Sequence, residues 1–249
     1  MATTIFHPCN AALPLPMHLL RPRTGSHGQK MEGISCPSWR LAVETNNLRD
    51  WKTIPVLCEG YISNYMLVKL YRQYSKAVTN QAILYAKSLN LVGDGKEVWV
   101  FDVDETVLSN VPYFSQHGFG PELFHSVAFN AWVTSKAPML PESHKLYMTL
   151  HFFSENQNSI FLTGRSESQR EVTGANLRKA GYIKWEKLIL KGEEDVGKPV
   201  VVYKSEKRRE LEKEGYKIVG NIGDQWSDIR GSGIGNRTFK LPDPMYYLS

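Results

Sequence analysis

Two aspartates two residues apart, Asp102 and Asp104, lie at the end of the almost continuous apolar segment from Glu97 to Val103. Residues two apart in an extended strand point to the same side, so both carboxylates can address one ligand. Unpaired carboxylates at the end of a buried strand repel each other and are costly to desolvate unless a cation lies nearby. The pattern therefore predicts a site that holds a cation. The alternative is a strand-end turn in which the aspartates cap a helix.

Further polar residues follow later apolar segments, and in an open α/β sheet ligands bind at the carboxyl ends of the strands. Thr163 is compatible either with a ligand contact or with an ordinary strand position, and Arg165 either with a contact to an anionic ligand or with a salt bridge. Lys204 is compatible with a solvated lysine on a charged helix, and Asp228 with a helix cap in place of a partner for Lys204 or for a metal-bound water. The candidate residues after Asp104 are Thr163, Gly164, Arg165, Lys204, Asp224 and Asp228.

The segments between these residues alternate between strand and helix patterns. Short apolar runs predict strands, and capping-box spacing followed by a terminal glycine predicts a helix. Strands that alternate with helices imply a parallel sheet with right-handed crossovers, so the predicted fold class is α/β, a Rossmann-like parallel sheet flanked by helices. The predicted strands are Glu97–Val103, Ser159–Leu162, Lys187–Leu190, Val200–Tyr203 and Lys217–Ile222, and the predicted helices are Ser166–Ala180 and Ser205–Glu214.

The rest of the chain divides into a tail and one domain. Residues 1–34 combine prolines and glycines with scattered polar residues, which indicates a disordered tail, and residues 35–249 are expected to form a single domain. Apolar positions at three- and four-residue steps predict an N-terminal helical segment over about 60–90. Residues from about 108 to 141 are too many for a tight connection and too aromatic for a linker, so we expect a small cap over the site.

Composition excludes several classes of protein. The chain has 249 residues, of which 42% are apolar and 22% charged, enough for one domain with a substantial core. The formal net charge is +5, but basic residues are interleaved with acidic ones, so we expect no nucleic-acid partner. Because no uninterrupted apolar run reaches 18 residues, we expect no membrane span.

The chemical state of the three cysteines and the use of one modification motif depend on the cellular compartment of the protein. An odd count leaves at least one free thiol in a monomer, whereas Cys36 and Cys58 are compatible either with a disulfide or with two buried small side chains. Asn236-Arg237-Thr238 is an N-glycosylation acceptor if the chain enters the secretory route. The N-terminal apolar stretch is interrupted by prolines and a histidine, so it does not predict an export signal.

Four motifs in order resemble those of the haloacid dehalogenase superfamily, whose members mostly transfer phosphoryl groups through an aspartyl-phosphate. Other segments resemble plant acid phosphatases and the related vegetative storage proteins more closely, and together the resemblance covers about residues 36–249. Four motifs in the right order are strong evidence where one alone is weak. The superfamily motifs correspond to residues 102–106, 161–165, Lys204 and 223–228, and the segments of closer resemblance are 38–47, 113–120 and 240–247.

The resemblance implies a chemical role for each candidate. Asp102 is expected to attack phosphorus, and Asp104 to protonate the leaving alkoxide and then to take a proton from the attacking water. Magnesium, a hard ion, is expected to be held by Asp102, the backbone carbonyl of Asp104, Asp224 and Asp228. Charge on the transferred group is expected to be offset by Lys204, by the Thr163 hydroxyl and by nearby backbone N–H groups. The residues expected to bind substrate phosphate are Thr163, Gly164, Arg165 and Lys204.

The expected function is an acid phosphatase that hydrolyses small phosphorylated substrates in mildly acidic conditions, a preference that the resemblance alone implies. The alternative is a vegetative storage protein with little or no activity, and a phosphotransferase would use the same residues. The presence of Asp102 favours an enzyme, since loss of the nucleophile is the simplest mark of a non-catalytic relative. The resemblance suggests a secreted or vacuolar protein and is compatible with a homodimer.

Overall fold

The computed structural model describes residues 34–134, 137–153 and 158–248. Apart from Ile34, the predicted disordered tail lies outside the described residues. Helices of the described chain are α1 (Cys36–Glu44), α2 (Glu59–Leu67), α3 (Leu70–Ser88), α4 (Val111–Phe114), α5 (Ser126–Val133), α6 (Pro141–Phe153), α7 (Arg170–Lys179), α8 (Val200–Lys213) and α9 (Trp226–Ile229). Strands are β1 (Glu97–Phe101), β2 (Asn158–Ser166), β3 (Lys187–Lys191), β4 (Lys217–Gly223) and β5 (Thr238–Lys240).

The five strands form one parallel sheet in the order β3-β2-β1-β4-β5. All five residues of the central strand β1 are buried, as its apolar composition requires of a strand covered on both faces. Trp99 and Phe101 pack in the cluster that includes residues of α3 and α6, whereas Val98 and Val100 pack with Tyr203 of α8 on the other face. The predicted fold class, a parallel sheet flanked by helices, is confirmed.

One predicted strand is wrong. The segment Val200–Tyr203 is the first turn of α8, so this helix begins five residues before the predicted Ser205–Glu214 helix. Pro199 precedes it with φ at −53°, a backbone angle already suited to helix entry. Val202 is 41% exposed, which a central strand would not allow, while Tyr203 is fully buried against the sheet. Helical burial on one side has overridden the β-propensity of the three valines.

The predicted helical segment over about 60–90 contains α2 and α3, and the predicted cap over about 108–141 contains α4 and α5. Residues 135–136 of that cap lie outside the described part of the chain. A second apolar cluster joins α1 and α2 to α4 and to Met245 near the C-terminus. The N-terminal helices therefore support the segment that follows β1. The strand β5 was not predicted, because it has only three residues and only one of them, Phe239, is apolar.

Cys36 and Cys58 form a disulfide, which excludes the alternative of two buried free thiols. The bond spans 22 residues and ties the first residue of α1 to the residue preceding α2. Closing a chain segment of this length removes conformational freedom from the unfolded state. Among the described residues, no helix is both long enough and apolar enough to cross a membrane.

We expect Gly220→Ala to destabilise the protein, because the central sheet has no room for a methyl group there. An added Cβ at Gly220 would lie 2.5 Å from the ring of Trp99, its partner residue on β1. Overpacking of this kind costs about 1–3 kcal/mol. Urea denaturation should show the loss, whereas Gly60→Ala, in a helix and with nothing within 4 Å, should leave stability unchanged or raise it slightly. Equal stability of wild type and Gly220→Ala would contradict this packing.

Candidate active site

Asp102 immediately follows the central strand β1 and lies at the carboxyl edge of the sheet. Its N–H donates to the carbonyl of Ile222 on β4 at 3.0 Å, which continues the strand pairing and fixes the backbone. The residue is 6% exposed. Its Oδ1 accepts a hydrogen bond from Lys204 Nζ at 2.5 Å. The carboxylate is thus rigidly held and paired with the Lys204 ammonium group.

Lys204 lies between two carboxylates. Its Nζ is 2.5 Å from Oδ1 of Asp102 and 2.5 Å from Oδ1 of Asp228, and all three residues are buried. Burial alone would lower the pKa of Lys204, but the charges of Asp102 and Asp228 raise it above its ordinary value, so the ammonium stays protonated. Lys204 reaches the site from the first turns of α8, not from a strand end as the sequence pattern indicated.

Three buried carboxylates converge at this point. Oxygens of Asp102, Asp224 and Asp228 lie within 4.8 Å of one another. Burial, with further contributions from Asp228 and Asp224 that Lys204 does not fully offset, raises the pKa of Asp102 well above its usual range. Burial and the charge of Asp228 also raise the pKa of Asp224. Three carboxylates against one ammonium leave two negative charges in excess, and an all-oxygen set of this charge fits a hard divalent cation.

Asp228 fills two of the roles considered for it at once. Its Oδ1 accepts from Lys204, while its Oδ2 accepts from the N–H of Gln225 at 2.8 Å, which caps the start of α9. The backbone carbonyl of Asp228 accepts from the Asn221 amide at 2.9 Å. These contacts fix the carboxylate between β4 and α8. Asp228 is therefore both a helix cap and a partner of Lys204.

Arg165 forms a salt bridge with Asp104. Its Nε and Nη2 donate to the two carboxylate oxygens of Asp104 at 2.9 and 2.7 Å, and the Asn110 amide donates to the same carboxylate at 3.2 Å. Burial would raise the pKa of Asp104, but the charge and hydrogen bonds of Arg165, aided by Asn110, lower it below its ordinary value. Arg165 also donates to the hydroxyl of Thr173 at 3.2 Å. Of the two roles considered for Arg165, the structure has the salt bridge.

Thr163 and Gly164 lie in the second half of β2, directly before Arg165 of this salt bridge. Thr163 is fully buried and its hydroxyl accepts from the N–H of Arg165 at 3.2 Å, while its carbonyl accepts from the Tyr203 hydroxyl at 3.1 Å. Gly164 is exposed, and a Cβ built there would meet nothing within 4 Å. The edge of the sheet is therefore open at Gly164, where a ligand has direct access to the backbone.

Residues that the sequence did not indicate hold Asp224 in place. The Thr106 hydroxyl donates to Oδ1 of Asp224 and accepts from its N–H, both at 3.0 Å. Oδ2 accepts from the Gln225 amide at 2.8 Å and from the Tyr246 hydroxyl at 3.2 Å. The Gln225 amide also donates to Asp243 at 3.1 Å. All four residues lie within the segments that resemble known phosphatases, but no local pattern in the sequence assigns any of them a contact with Asp224.

Glu105 is a second buried carboxylate that the sequence did not single out. It sits in the turn after β1 with φ at +54°, a left-handed conformation uncommon for a residue other than glycine. Its carboxylate accepts hydrogen bonds from the hydroxyl of Tyr71 on α3, from the Ser109 hydroxyl at 3.2 Å and from the Asn110 N–H at 2.6 Å. An element outside the sheet therefore reaches in to hold the loop that carries Asp102 and Asp104.

We expect Glu105 to make the metal-free protein less stable as the pH rises from about 4.5 to 7. Burial raises the pKa of Glu105 to about 7, although the Tyr71, Asn110 and Ser109 hydrogen bonds act to lower it. Over this range the unfolded chain releases a proton that the folded protein keeps, so the free energy of unfolding falls, by up to about 3 kcal/mol. Urea denaturation in chelator at pH 5 and pH 7.5 measures the difference.

Glu105→Gln is the matched comparison, because the amide keeps an acceptor for Tyr71 and cannot ionise. Its free energy of unfolding should change less between the two pH values than that of the wild type. An identical pH dependence in both proteins would show that the carboxyl group does not titrate in this way.

Comparisons with known proteins identify the family of the chain. A family model described as the HAD superfamily, subfamily IIIB (acid phosphatase), matches residues 22–249. Acid phosphatase 1 of Solanum lycopersicum is 49% identical over 88% of this chain and 86% of that protein. The stem 28 kDa glycoprotein of Glycine max is 46% identical over 93% of the chain and 91% of its own length. Vegetative storage protein 1 of Arabidopsis thaliana is 40% identical over 100% and 95%.

A solved structure, the class C acid phosphatase from Bacillus anthracis, has the same fold with a TM-score of 0.58. The two sequences are 22% identical, and the matched region covers 76% of this chain and 85% of the Bacillus anthracis chain. The predicted resemblance is confirmed, and with it the expected class of enzyme, a phosphatase hydrolase. The chain belongs to subfamily IIIB of the HAD superfamily, the acid phosphatases.

Proposed function

We propose that this protein hydrolyses phosphomonoesters in two displacements, with Asp102 as the nucleophile and an aspartyl-phosphate as the intermediate. The observation that carries the proposal is the convergence of Asp102, Asp224, Asp228 and Lys204 at one buried point on the carboxyl edge of the sheet. A carboxylate nucleophile divides a difficult hydrolysis into two easier steps. The open backbone at Gly164 supports entry of a phosphate group beside it.

The charge of Lys204 gives this side chain two roles, stabilising the transferred phosphoryl group and orienting Asp102. Lys204, held protonated between two carboxylates, provides a fixed positive charge 2.5 Å from the Asp102 oxygen. A preorganised cation at this place can stabilise the negative charge of a phosphoryl group as it transfers. The same contact orients the Asp102 carboxylate, because its backbone is already fixed by the bond to Ile222. The nucleophile therefore does not need to reorganise before attack.

The residues that would hold Mg²⁺ are Asp102, Asp224 and Asp228, with the Asp104 backbone carbonyl as a fourth oxygen. When bound, the ion supplies positive charge that offsets the buried carboxylates and the phosphate oxygens. Thr106, Gln225 and Tyr246 fix the Asp224 carboxylate through both of its oxygens. Such outer partners orient ligands and tune affinity. The chain's own hydrogen bonds thus preorganise the ligand set.

Asp104 serves as the proton carrier, and Arg165 sets its state. The salt bridge lowers the pKa of Asp104, so its carboxylate starts ionised, the form that accepts a proton from water in the second displacement. To donate a proton to the leaving alkoxide in the first displacement, the carboxylate needs a weaker hold from Arg165. The guanidinium provides a bidentate donor for an incoming phosphate, which competes with Asp104 for it. Substrate binding therefore raises the proton affinity of Asp104, which takes up a proton from solvent, gives it to the leaving alkoxide and then accepts one from the attacking water.

We expect Asp102→Asn to reduce phosphate release from a generic phosphomonoester by at least about a thousandfold, because the amide cannot attack phosphorus. Release should be measured at mildly acidic pH with Mg²⁺ and with chelator, and chelator should suppress the wild-type rate. Asp94→Asn is the matched control, since this aspartate is exposed in a turn and its hydrogen bond to the Lys96 N–H survives the change.

The same assays distinguish an enzyme from a storage protein, the alternative that the names of the vegetative storage relatives suggest. Negligible turnover of folded wild type with Mg²⁺ would favour storage. Equal rates in wild type and Asp102→Asn would remove the aspartyl-phosphate mechanism. Thermal denaturation of both proteins separates loss of chemistry from loss of fold.

A further inference from the structure

Arg208 on α8 is fully buried, and the proposed phosphatase chemistry does not use it. It lies four residues after Lys204, so the two basic side chains leave the helix on one face. We propose that Arg208 is a positioning residue that fixes the backbone of Asp228 and thereby sets the Asp228 carboxylate for Lys204 and for the cation. This inference rests on the role proposed above for Asp228 as a metal ligand.

The Arg208 guanidinium binds three carbonyl groups in α9 and in the segment that follows it. Nη1 donates to the carbonyl of Asp228 at 2.7 Å, and Nη2 donates to the carbonyl of Arg230 at 2.5 Å. Nε donates to the carbonyl of Ser232 at 3.1 Å. The guanidinium is planar and its donors have fixed directions, so it holds the three carbonyls in one arrangement that a flexible ammonium group does not reproduce.

Helix α8 therefore holds Asp228 at two points. Lys204 donates to its carboxylate and Arg208 to its backbone carbonyl, from successive turns of the same helix. The Asn221 amide on β4 donates to that carbonyl as well, at 2.9 Å. A shift of the Asp228 backbone relative to α8 would break the Arg208 contact and change the distance between the carboxylate and Lys204.

The segment after α9 packs directly on α8 around Arg208. The Ser205 hydroxyl accepts from Arg208 Nη2 at 3.3 Å and from the N–H of Ser232 at 3.2 Å. Gly231 has φ at +86°, and a Cβ built there would lie 2.1 Å from the Ser205 hydroxyl oxygen. Only glycine allows this close approach, so the backbone is shaped to bring its carbonyls to the guanidinium.

The hydrogen bonds of Arg208 to described residues all go to neutral oxygens, three carbonyls and one hydroxyl. Burial lowers the pKa of Arg208 to about 10, although the charge of Asp228 acts to raise it, so the guanidinium is protonated at neutral pH. A buried cation without a paired carboxylate is costly. The excess negative charge of the neighbouring carboxylate cluster offsets part of this cost, which accounts for a cation at this position.

Calorimetric titration of chelator-treated protein with Mg²⁺ tests this role. Arg208→Lys keeps the charge but cannot bind three carbonyls at once, so it should bind Mg²⁺ at least about tenfold more weakly than wild type. Ser205→Ala, which removes the hydroxyl shared by Arg208 and Ser232, should weaken binding by a smaller factor. Arg209→Lys is the matched control at the next, exposed position of α8 and should bind Mg²⁺ as wild type does.

Backbone hydrogen exchange of the metal-free protein, followed by peptide mass spectrometry, measures the positioning itself. The peptide that contains residues 228–232 should exchange faster in Arg208→Lys than in wild type, whereas peptides of β1 should not change. Leu211→Ala separates positioning from stability, because it removes a buried apolar side chain from the same helix. This variant should unfold at a lower urea concentration and still bind Mg²⁺ with the affinity of wild type.

Unchanged Mg²⁺ affinity in Arg208→Lys would overturn the proposal, as would unchanged exchange in the peptide of residues 228–232. An equal loss of affinity in Leu211→Ala would also overturn it, because stability alone would then explain the effect. If Arg208→Lys does not fold, Ser205→Ala decides by the same two measurements. A folded wild type that binds no Mg²⁺ would contradict the proposed metal site, and exchange of the metal-free protein would then decide the role of Arg208.

Discussion

The ammonium group of Lys204 lies between the buried carboxylates of Asp102 and Asp228, with Asp224 close by. Removing ions from water costs several kcal/mol each, and the cost is recovered only when partners are close and hydrogen bonds are complete. Here one cation faces three carboxylates, so the protein alone leaves negative charge in excess. This imbalance explains both the raised pKa of Asp102 and the suitability of the site for a divalent cation.

The fold serves this cluster by bringing distant segments to one edge of the sheet. β1 and β4 are adjacent and parallel, so Asp102 and Asp224 emerge side by side. α8 packs across one face and delivers Lys204 from its first turns. Around this centre, the C-terminal segment holds Asp224 through Tyr246, and α3 holds the neighbouring loop through Tyr71. The supporting contacts come from both ends of the chain, and they fix groups that would otherwise repel one another.

The sequence predicts the sheet and the chemical residues because strand ends carry a local signal, an apolar run followed by a polar residue. It fails at Val200–Tyr203, where three valines favour a strand but the preceding proline and the packing of Tyr203 make a helix. It also leaves Arg165 undecided, since the choice between phosphate and Asp104 depends on distance alone. Gln225 and Asp243 lie within the segments of resemblance, but their role comes from contacts between segments, which no local pattern in the sequence shows.

The most direct measurement is a calorimetric titration of chelator-treated protein with Mg²⁺ in wild type and in Asp224→Asn. If Mg²⁺ binds because it neutralises the excess negative charge of the buried carboxylates, wild type should bind one ion per chain. Asp224→Asn should then bind about a hundredfold more weakly or not at all. Absence of binding by folded wild type, or equal affinity in the two proteins, would contradict the electrostatic origin of the site.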